Sequence, residues 1–454
     1  MVTQVRGHSF DASAPGTDAE QWRRAMAGST RPPLTLDGVR RIVVVGAHPD
    51  DESLGSAGLV AGARDAGIDV DLVCVTDGAG SHPGSPTLRP GALARRRRDE
   101  WMAAADLLGV DVGRRHFLDL PDGHAAEHAD EITAALVDLV GQGTGHGTGT
   151  VLVAPWRYDG HPDHEAVGVA AAATARRTDA ELWEFPVWFW HWAGVDDPRA
   201  ELLRPWPLGP GARSTKRAAV ASHRSQVEAL SEQPGDERLL SEEFLAHFAG
   251  DREWFVVTAS ANCVDDALDQ LHDEVADPWG VDVRWFERRK RDLVLAMLPR
   301  ARFRRSLELG CSTGALTAQI ADRSDAVVAV DSSATAIRAA RRRLASRPEV
   351  DLEVLDLRTA WPVGSFDLVV VSEVGYFLSP ATLERVVSRV TSCLDRDGVV
   401  VLCHWRHQVE GWLLTADDVH RAFRGRSLPP LRATYRDDDV EIRVLARSWP
   451  EHDR

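Results

Sequence analysis

Arg41-Ile42-Val43-Val44-Val45-Gly46-Ala47 runs continuously apolar after its first residue. So short a run, with no polar alternation, is sealed on both faces, as the central strands of a parallel sheet are. A helical pattern over Leu54 to Ala66 follows, and then a second strand, Val70 to Thr76. A further helix runs from about Ala92 to Leu108, stops at Gly109 and leads to a short strand at His116 to Leu118. Strand alternating with helix predicts an α/β fold with a doubly wound parallel sheet. After about residue 250 the pattern restarts. Ser306 to Leu309, Ala326 to Asp331, Leu352 to Leu355, Phe366 to Val371 and Gly398 to Leu402 read as the strands of a second such unit with its own core.

The expectation is therefore two Rossmann-like domains in tandem. They are 41–258 and 277–454, with an irregular lead-in over 1–40 (one short helix near Trp22) and a linker over 259–276. The chain's 454 residues accommodate both. Gly141 to Thr150, GQGTGHGTGT, reads as a flexible connection. It lacks the Lys-Ser/Thr ending of a phosphate loop and precedes a strand rather than a helix.

A net charge of -16 repels phosphates, so nucleic acid is not an expected partner, although Arg95 to Arg98 form a local basic run. Five scattered cysteines without a CxxC argue against a disulfide framework and against a cysteine-built zinc site. No apolar h-region begins the chain and no run is long enough to span a bilayer. The expected location is cytoplasmic, without stable membrane insertion.

Two polar clusters follow strands of the first unit: Ala47-His48-Pro49-Asp50-Asp51-Glu52 and, after the strand Val151 to Ala154, Asp159-Gly160-His161-Pro162-Asp163-His164. A parallel sheet brings such strand ends to one edge, where α/β proteins bind ligands. Two imidazoles and a carboxylate drawn from these clusters leave an open position on a zinc ion, and Fe2+ suits the same donor set. Glu181 to Trp192, ELWEFPVWFWHW, reads as one strand, whose Trp183, Trp188, Trp190 and Trp192 serve the core or stack on a sugar.

The paired motifs AHPDDE and HPDH resemble the PIG-L/LmbE-like N-deacetylases, which remove acetyl groups from amino sugars, over roughly residues 40–250. The resemblance implies His48, Asp51 and His164 as zinc ligands. It makes Asp50 the general base, and His161 the group that stabilises the oxyanion or protonates the leaving amine. It also puts Arg97 and Asp122 against the substrate. His223 and Gln226, in SHRSQ, echo the family without a role that can be derived.

In the second unit, Glu308-Leu309-Gly310-Cys311-Ser312-Thr313-Gly314 follows a strand and opens a helix, and its small residues let a ligand approach the backbone. Asp331 ends the next strand about twenty residues on, where a carboxylate binds ribose hydroxyls. The pattern resembles class I methyltransferases dependent on S-adenosylmethionine. In these, Glu308, Gly310 and Gly314 border the methionine moiety, Asp331 binds the ribose and Asp356 lies at the adenine. Asp277-Pro278-Trp279, Trp285 to Lys290, and Cys403-His404-Trp405-Arg406-His407 are similar to the nodulation N-methyltransferases, over about 275–425. Those enzymes methylate the free amine of deacetylated chitooligosaccharides. Glu373, Tyr376, His404 and His407 are the candidates for handling the acceptor, and the sequence does not choose among them.

The favoured reading is hydrolysis of an N-acetyl amino sugar followed by N-methylation of the exposed amine, on a small-molecule substrate. The alternatives are two activities on unrelated substrates, with O- or C-methylation in the second half, or one half acting as a non-catalytic binding module.

Overall fold

The computed structural model describes residues 16–142, 147, 149–263, 265–275, 277–425 and 427–449. The middle of the glycine-rich connection, residues 143–146 and 148, lies outside them. The chain divides into two units, Met1–Val264 and Asp265–Arg454.

The first unit holds a seven-stranded sheet: β1 (Arg41–Gly46), β2 (Asp69–Thr76), β3 (Arg115–Leu120), β4 (Thr150–Pro155), β5 (Glu181–Phe185), β6 (Leu203–Pro207) and β7 (Arg252–Thr258), in the order β3-β2-β1-β4-β5-β7-β6. The first five are mutually parallel, while β7 runs antiparallel to both β5 and β6. The second unit repeats the order. It contains β8 (Phe303–Leu309), β9 (Ser324–Asp331), β10 (Val350–Val354), β11 (Phe366–Ser372), β12 (Leu394–Trp405), β13 (Leu431–Arg436) and β14 (Val440–Ala446), arranged β10-β9-β8-β11-β12-β14-β13. Here too five strands are parallel, and β14 runs antiparallel to both β12 and β13. Both units are thus α/β with parallel-dominant sheets, as the doubly wound reading expects, each with one antiparallel strand, β7 or β14. In the second unit β13 and β14 form a tight hairpin, antiparallel by construction, whereas in the first unit a long segment that carries helix Pro210–Ser222 joins β6 to β7.

The apolar runs behave as their composition demands. Ile42 and Val44 point into one core layer with Trp101 and Phe185, while Val43 and Val45 point into the other with Leu136 and Val167. In the second unit Val370 and Ala329 face one layer, and Val369, Val371 and Leu309 the other. Alternate residues of a strand face opposite sides, so a strand covered by helices on both sides must be apolar throughout.

Two expectations change here. The stretch 259–276, read as a linker, carries helix Ala267–Glu274, whose Asp273 and Asp269 accept hydrogen bonds from Thr335 and Ser333 of the second unit. The run 181–192 is not one strand. β5 stops at Phe185, before Pro186, and Phe189–Trp192 forms a helical turn, because proline cannot donate to the ladder.

Candidate functional site

In each sheet the connections diverge between the first and fourth strands in sequence, β1 and β4 or β8 and β11. Loops leaving those two strand ends frame a crevice. In the first unit the loop after β1 supplies His48, Asp50 and Asp51, and the loop after β4 supplies Asp159, His161, Asp163 and His164. His161 caps helix Pro162–Thr178, its Nδ1 accepting the Asp163 N–H at 3.2 Å, and Pro162 occupies the first turn, where its missing N–H costs nothing.

Two imidazole nitrogens and the two oxygens of one carboxylate converge. His48 Nδ1 lies 3.2 Å from His164 Nε2, His164 Nε2 is 3.3 Å from Asp51 Oδ1, and Asp51 Oδ2 is 3.6 Å from His48 Nδ1. Ligands 2.0–2.1 Å from a tetrahedral ion stand roughly 3.3 Å from one another, so this triangle has the dimensions of a metal site. The outer ring nitrogens are occupied. His164 Nδ1 meets Asp159 at 2.7 Å, and His48 Nε2 meets Asp122 at 3.1 Å and Asp163 at 3.2 Å. A carboxylate on one imidazole nitrogen fixes the tautomer and leaves the other free for a metal. Asp159 is fully buried and also accepts the backbone N–H groups of Val187, Trp188 and Phe189. His161 is a further neighbour, and one nitrogen from each of His48, His161 and His164 falls within 4.8 Å of the others.

The electrostatics favour positive charge at this point. Burial opposes protonation of His164, yet Asp51 and Asp159 raise it to about 9. Burial likewise opposes protonation of His48, and Asp122, Asp163 and Asp51 raise it well above the usual histidine range. His161 goes the other way: burial and the two neighbouring imidazoles lower it to about 2. With Nδ1 accepting a backbone N–H, its neutral ring carries the proton on Nε2. Burial pushes Asp50 up to about 6 against the pull of Arg97.

Two expected substrate contacts prove to be scaffold. Arg97 is buried, and its guanidinium holds Asp50 at 3.1 Å, Gly78 O at 2.9 Å and Pro49 O at 3.3 Å. Asp122 accepts the Gly80 N–H and the His48 ring instead of standing free for a sugar hydroxyl. The basic run is not a basic face, since Arg96 pairs with Glu100, Arg97 with Asp50 and Arg98 with Asp119. His223 bonds Ser53 at 2.9 Å and lies 3.4 Å from Glu52, while Gln226 donates to Ser225 and Ser81; the SHRSQ motif thereby braces the segment behind the histidines. Of the four tryptophans only Trp188 stacks on a site imidazole, 6.4 Å from the His161 ring at 24°; Trp183 and Trp190 are buried.

In the second unit the same crevice is a cavity of about 670 Å³ that Glu308, Gly310, Ser312, Asp331, Asp356, Glu373 and Tyr376 help to line. Gly310 has φ +73°, and a side chain there would meet Val374 at 2.7 Å. Asp331 accepts the N–H groups of Ser312 and Ser333 at 2.8 and 2.9 Å. Glu308 is buried, its Oε2 lacks a partner among the described residues, and burial together with nearby Asp331 pushes its carboxyl up to about 8. An orphaned carboxylate oxygen calls for a donor, and the ammonium of a methionine moiety is one. A cradle that no side chain may enter, with Asp331 beside it for a ribose, fits S-adenosylmethionine. Asp356 lines the cavity but is engaged by Arg358 at 2.8 Å.

Residues 43–175 match the family profile described as GlcNAc-PI de-N-acetylase, PIG-L, and residues 261–424 match nodulation protein S, NodS. Nodulation protein S of Sinorhizobium fredii is 32% identical over 135 residues, covering 29% of this chain and 62% of that protein. Diacetylchitobiose deacetylase of Thermococcus kodakarensis is 32% identical over 152 residues, 31% of this chain and 54% of that protein. A 1D-myo-inositol 2-acetamido-2-deoxy-alpha-D-glucopyranoside deacetylase of Saccharopolyspora erythraea is 30% identical over 236 residues, 41% of this chain and 83% of that protein. The chain belongs to the PIG-L deacetylase family and continues into a NodS methyltransferase domain. It spans about half to three fifths of the length of the first two relatives named.

Within the NodS domain, two of the four acceptor candidates are displaced. His404 is fully buried, bonded to His420 at 3.0 Å and accepting the Gly375 N–H at 3.3 Å; it is a satisfied core histidine. His407 pairs with Asp439 at 3.0 Å on the surface. Glu373 and Tyr376 remain at the cavity, joined by a 2.6 Å hydrogen bond from the Tyr376 hydroxyl. The sequence reading passed over Asp159, Asp163 and Lys290 as individual site residues. Asp159 and Asp163 flank the histidines of their motif, so alternating His and Asp was an available signal. Lys290 offered none, because its partner Glu373 comes from another element.

Proposed function

We propose that the chain is a bifunctional enzyme that removes the acetyl group from an N-acetyl amino sugar and methylates the freed amine. The observation that carries this reading is the donor triangle of His48, Asp51 and His164 in one chain with the Glu308–Asp331 cavity. A zinc ion held by those three, when bound, polarises the amide carbonyl and makes the attacking water acidic; iron(II) suits the same donors. Asp50, held by Arg97, takes the proton of the water, and its raised pKa suits a base working near neutrality. His161, as a neutral imidazole with its proton on Nε2, donates a hydrogen bond to the developing oxyanion. Glu308 and Asp331 hold the ammonium and ribose of S-adenosylmethionine, which supplies the methyl group. Asp356 borders the adenine end, and Glu373 with Tyr376 meets the acceptor.

The order follows from nitrogen chemistry. An acetamide nitrogen shares its lone pair with the carbonyl, as a peptide nitrogen does, and is a poor nucleophile, so hydrolysis must precede methyl transfer. The test supplies a panel of N-acetylglucosamine conjugates with S-adenosylmethionine and follows product mass. Acetyl loss followed by methyl gain is expected. The Asp50→Asn protein should leave the acetylated compound unmethylated and still methylate the same compound supplied as its free amine. Methylation of the acetylated form at the wild-type rate would instead favour two unrelated activities.

A further inference from the structure

The cavity of the second unit contains a charge arrangement that the reading above does not use. Lys290, on helix Trp285–Ala296, is almost completely buried, 2.9 Å from Glu287 and 3.5 Å from Glu373. All three line the cavity, with the rings of Phe286 and Trp405 beside them, packed edge to face at 5.1 Å. Glu373 stands directly after β11 with φ +55°, a conformation that a non-glycine residue keeps only when its surroundings enforce it. Its Oε2 accepts the Tyr376 hydroxyl, and its Oε1, shielded from solvent, completes no well-formed hydrogen bond among the described residues, the Trp405 backbone N–H also facing the carboxylate. Val374, the next residue, packs over Gly310, so the segment that carries Glu373 lies against the loop assigned to the cofactor's methionine end.

Two carboxylates against one ammonium leave this end of the cavity one negative charge in excess, with an oxygen that completes no well-formed hydrogen bond among the described residues. A hydroxyl brings no charge to offset it, whereas a protonated amine brings both the charge and the N–H. We propose that Glu373 receives the proton of an ammonium acceptor and that Lys290, as a positioning residue, keeps Glu373 a carboxylate so that amines are selected over alcohols. This rests on the methyltransferase reading and goes beyond it by assigning the basis of acceptor choice. In balanced form, R–NH3+ gives its proton to the Glu373 carboxylate. The freed lone pair of R–NH2 then forms a bond to the sulfonium methyl carbon, while the C–S pair returns to sulfur. The products are R–NH2–CH3+ and the neutral thioether.

Glu373 is faced by Lys290 and Glu287 from their helix, by Tyr376 from its own loop and by Cys403 from β12. Burial raises Glu373 and Lys290 counters that rise, so removing the lysine should move the protonation of Glu373 to higher pH. The experiment uses the full chain loaded with S-adenosylhomocysteine. Calorimetry with chitobiosamine, the glucosamine disaccharide, is set against cellobiose, its hydroxyl counterpart. The amine should bind at least about tenfold more tightly than cellobiose, and Glu373→Gln should weaken it about ten- to a hundredfold, the span for losing a hydrogen bond between charged groups. S-adenosylhomocysteine affinity should be unchanged and serves as the folding control. Lys290→Met should shift the acid limb of amine binding to higher pH, and Lys290→Arg should restore it. Glu373→Gln, isosteric and uncharged, remains decisive where Lys290→Met does not fold. Equal binding of the two disaccharides, no binding of the amine to the loaded protein, or an unshifted limb in Lys290→Met would overturn the proposal. A wild-type chain that does not bind S-adenosylhomocysteine would instead bring down the methyltransferase reading, and this proposal with it.

Discussion

The two units arrange seven strands in the same order and open a crevice at the same point, yet fill it in opposite ways. After β1 the chain presents side chains: His48, Asp50 and Asp51, with His161 and His164 answering from the β4 loop. After β8 it withdraws them, and Gly310 with φ +73° leaves a cradle of backbone. A small cation needs donor atoms converging on a point, whereas a nucleotide-sized ligand needs room and a few hydrogen bonds at its ends. The topology decides where a ligand binds. The loop after the first strand decides which kind of ligand the crevice suits, and under the proposed function the same sheet would serve hydrolysis in one half and group transfer in the other.

Three substitutions bear on that division. The largest effect is expected from Asp50→Asn, which removes the proposed base while keeping the shape. Deacetylation should fall by ~10²–10⁴-fold, with zinc content by elemental analysis and S-adenosylhomocysteine affinity both retained. A loss of cofactor affinity in this variant would mean that the two sites are not independent.

Next is Asp331→Ala, the mirror experiment. The carboxylate can accept two ribose hydroxyl hydrogen bonds, so calorimetry should show S-adenosylhomocysteine binding weakened roughly ten- to a hundredfold. Deacetylation should continue at the wild-type rate. Unchanged affinity would place the ribose elsewhere in the cavity.

The smallest effect concerns Glu308 and pH. In the fold its carboxyl is raised from an ordinary 4.5 to about 8. Between those values the folded state holds a proton that the unfolded chain releases, so stability is full at the acid end and declines as pH rises. The ligand-free second unit should lose a few degrees of melting midpoint per pH unit, at most, from about pH 5 to about pH 8. Scanning calorimetry can follow it, the transition being assigned by its response to S-adenosylhomocysteine. Glu308→Gln should flatten the slope. An equally steep slope in that variant would show that other groups carry it.

The sequence by itself determined the two α/β units and the strand-end motifs, because both are local. A short apolar run rich in β-branched residues and without alternation reads as a buried strand, and a parallel sheet must gather the ends of its strands at one edge. The strand-end clusters that carry His48, Asp51 and His164, and Asp331 at the end of its strand, were therefore legible from position along the chain, while the choice of those three as ligands and of Glu308 came from the family resemblance. Only the tertiary structure decided which groups touch. Arg97 reads as a substrate contact in a basic run, but the helix Pro90–Leu107 turns it inward onto Asp50. His404 reads as a candidate for the acceptor, but β12 points it into the core toward His420. Asp159 acquires its role from three backbone N–H groups some thirty residues further on, and Lys290 from a glutamate on a distant loop. Hydrogen bonds and ion pairs act over about 3 Å between atoms far apart in sequence, so no local pattern records them. They exist only once the chain has folded and brought those atoms together.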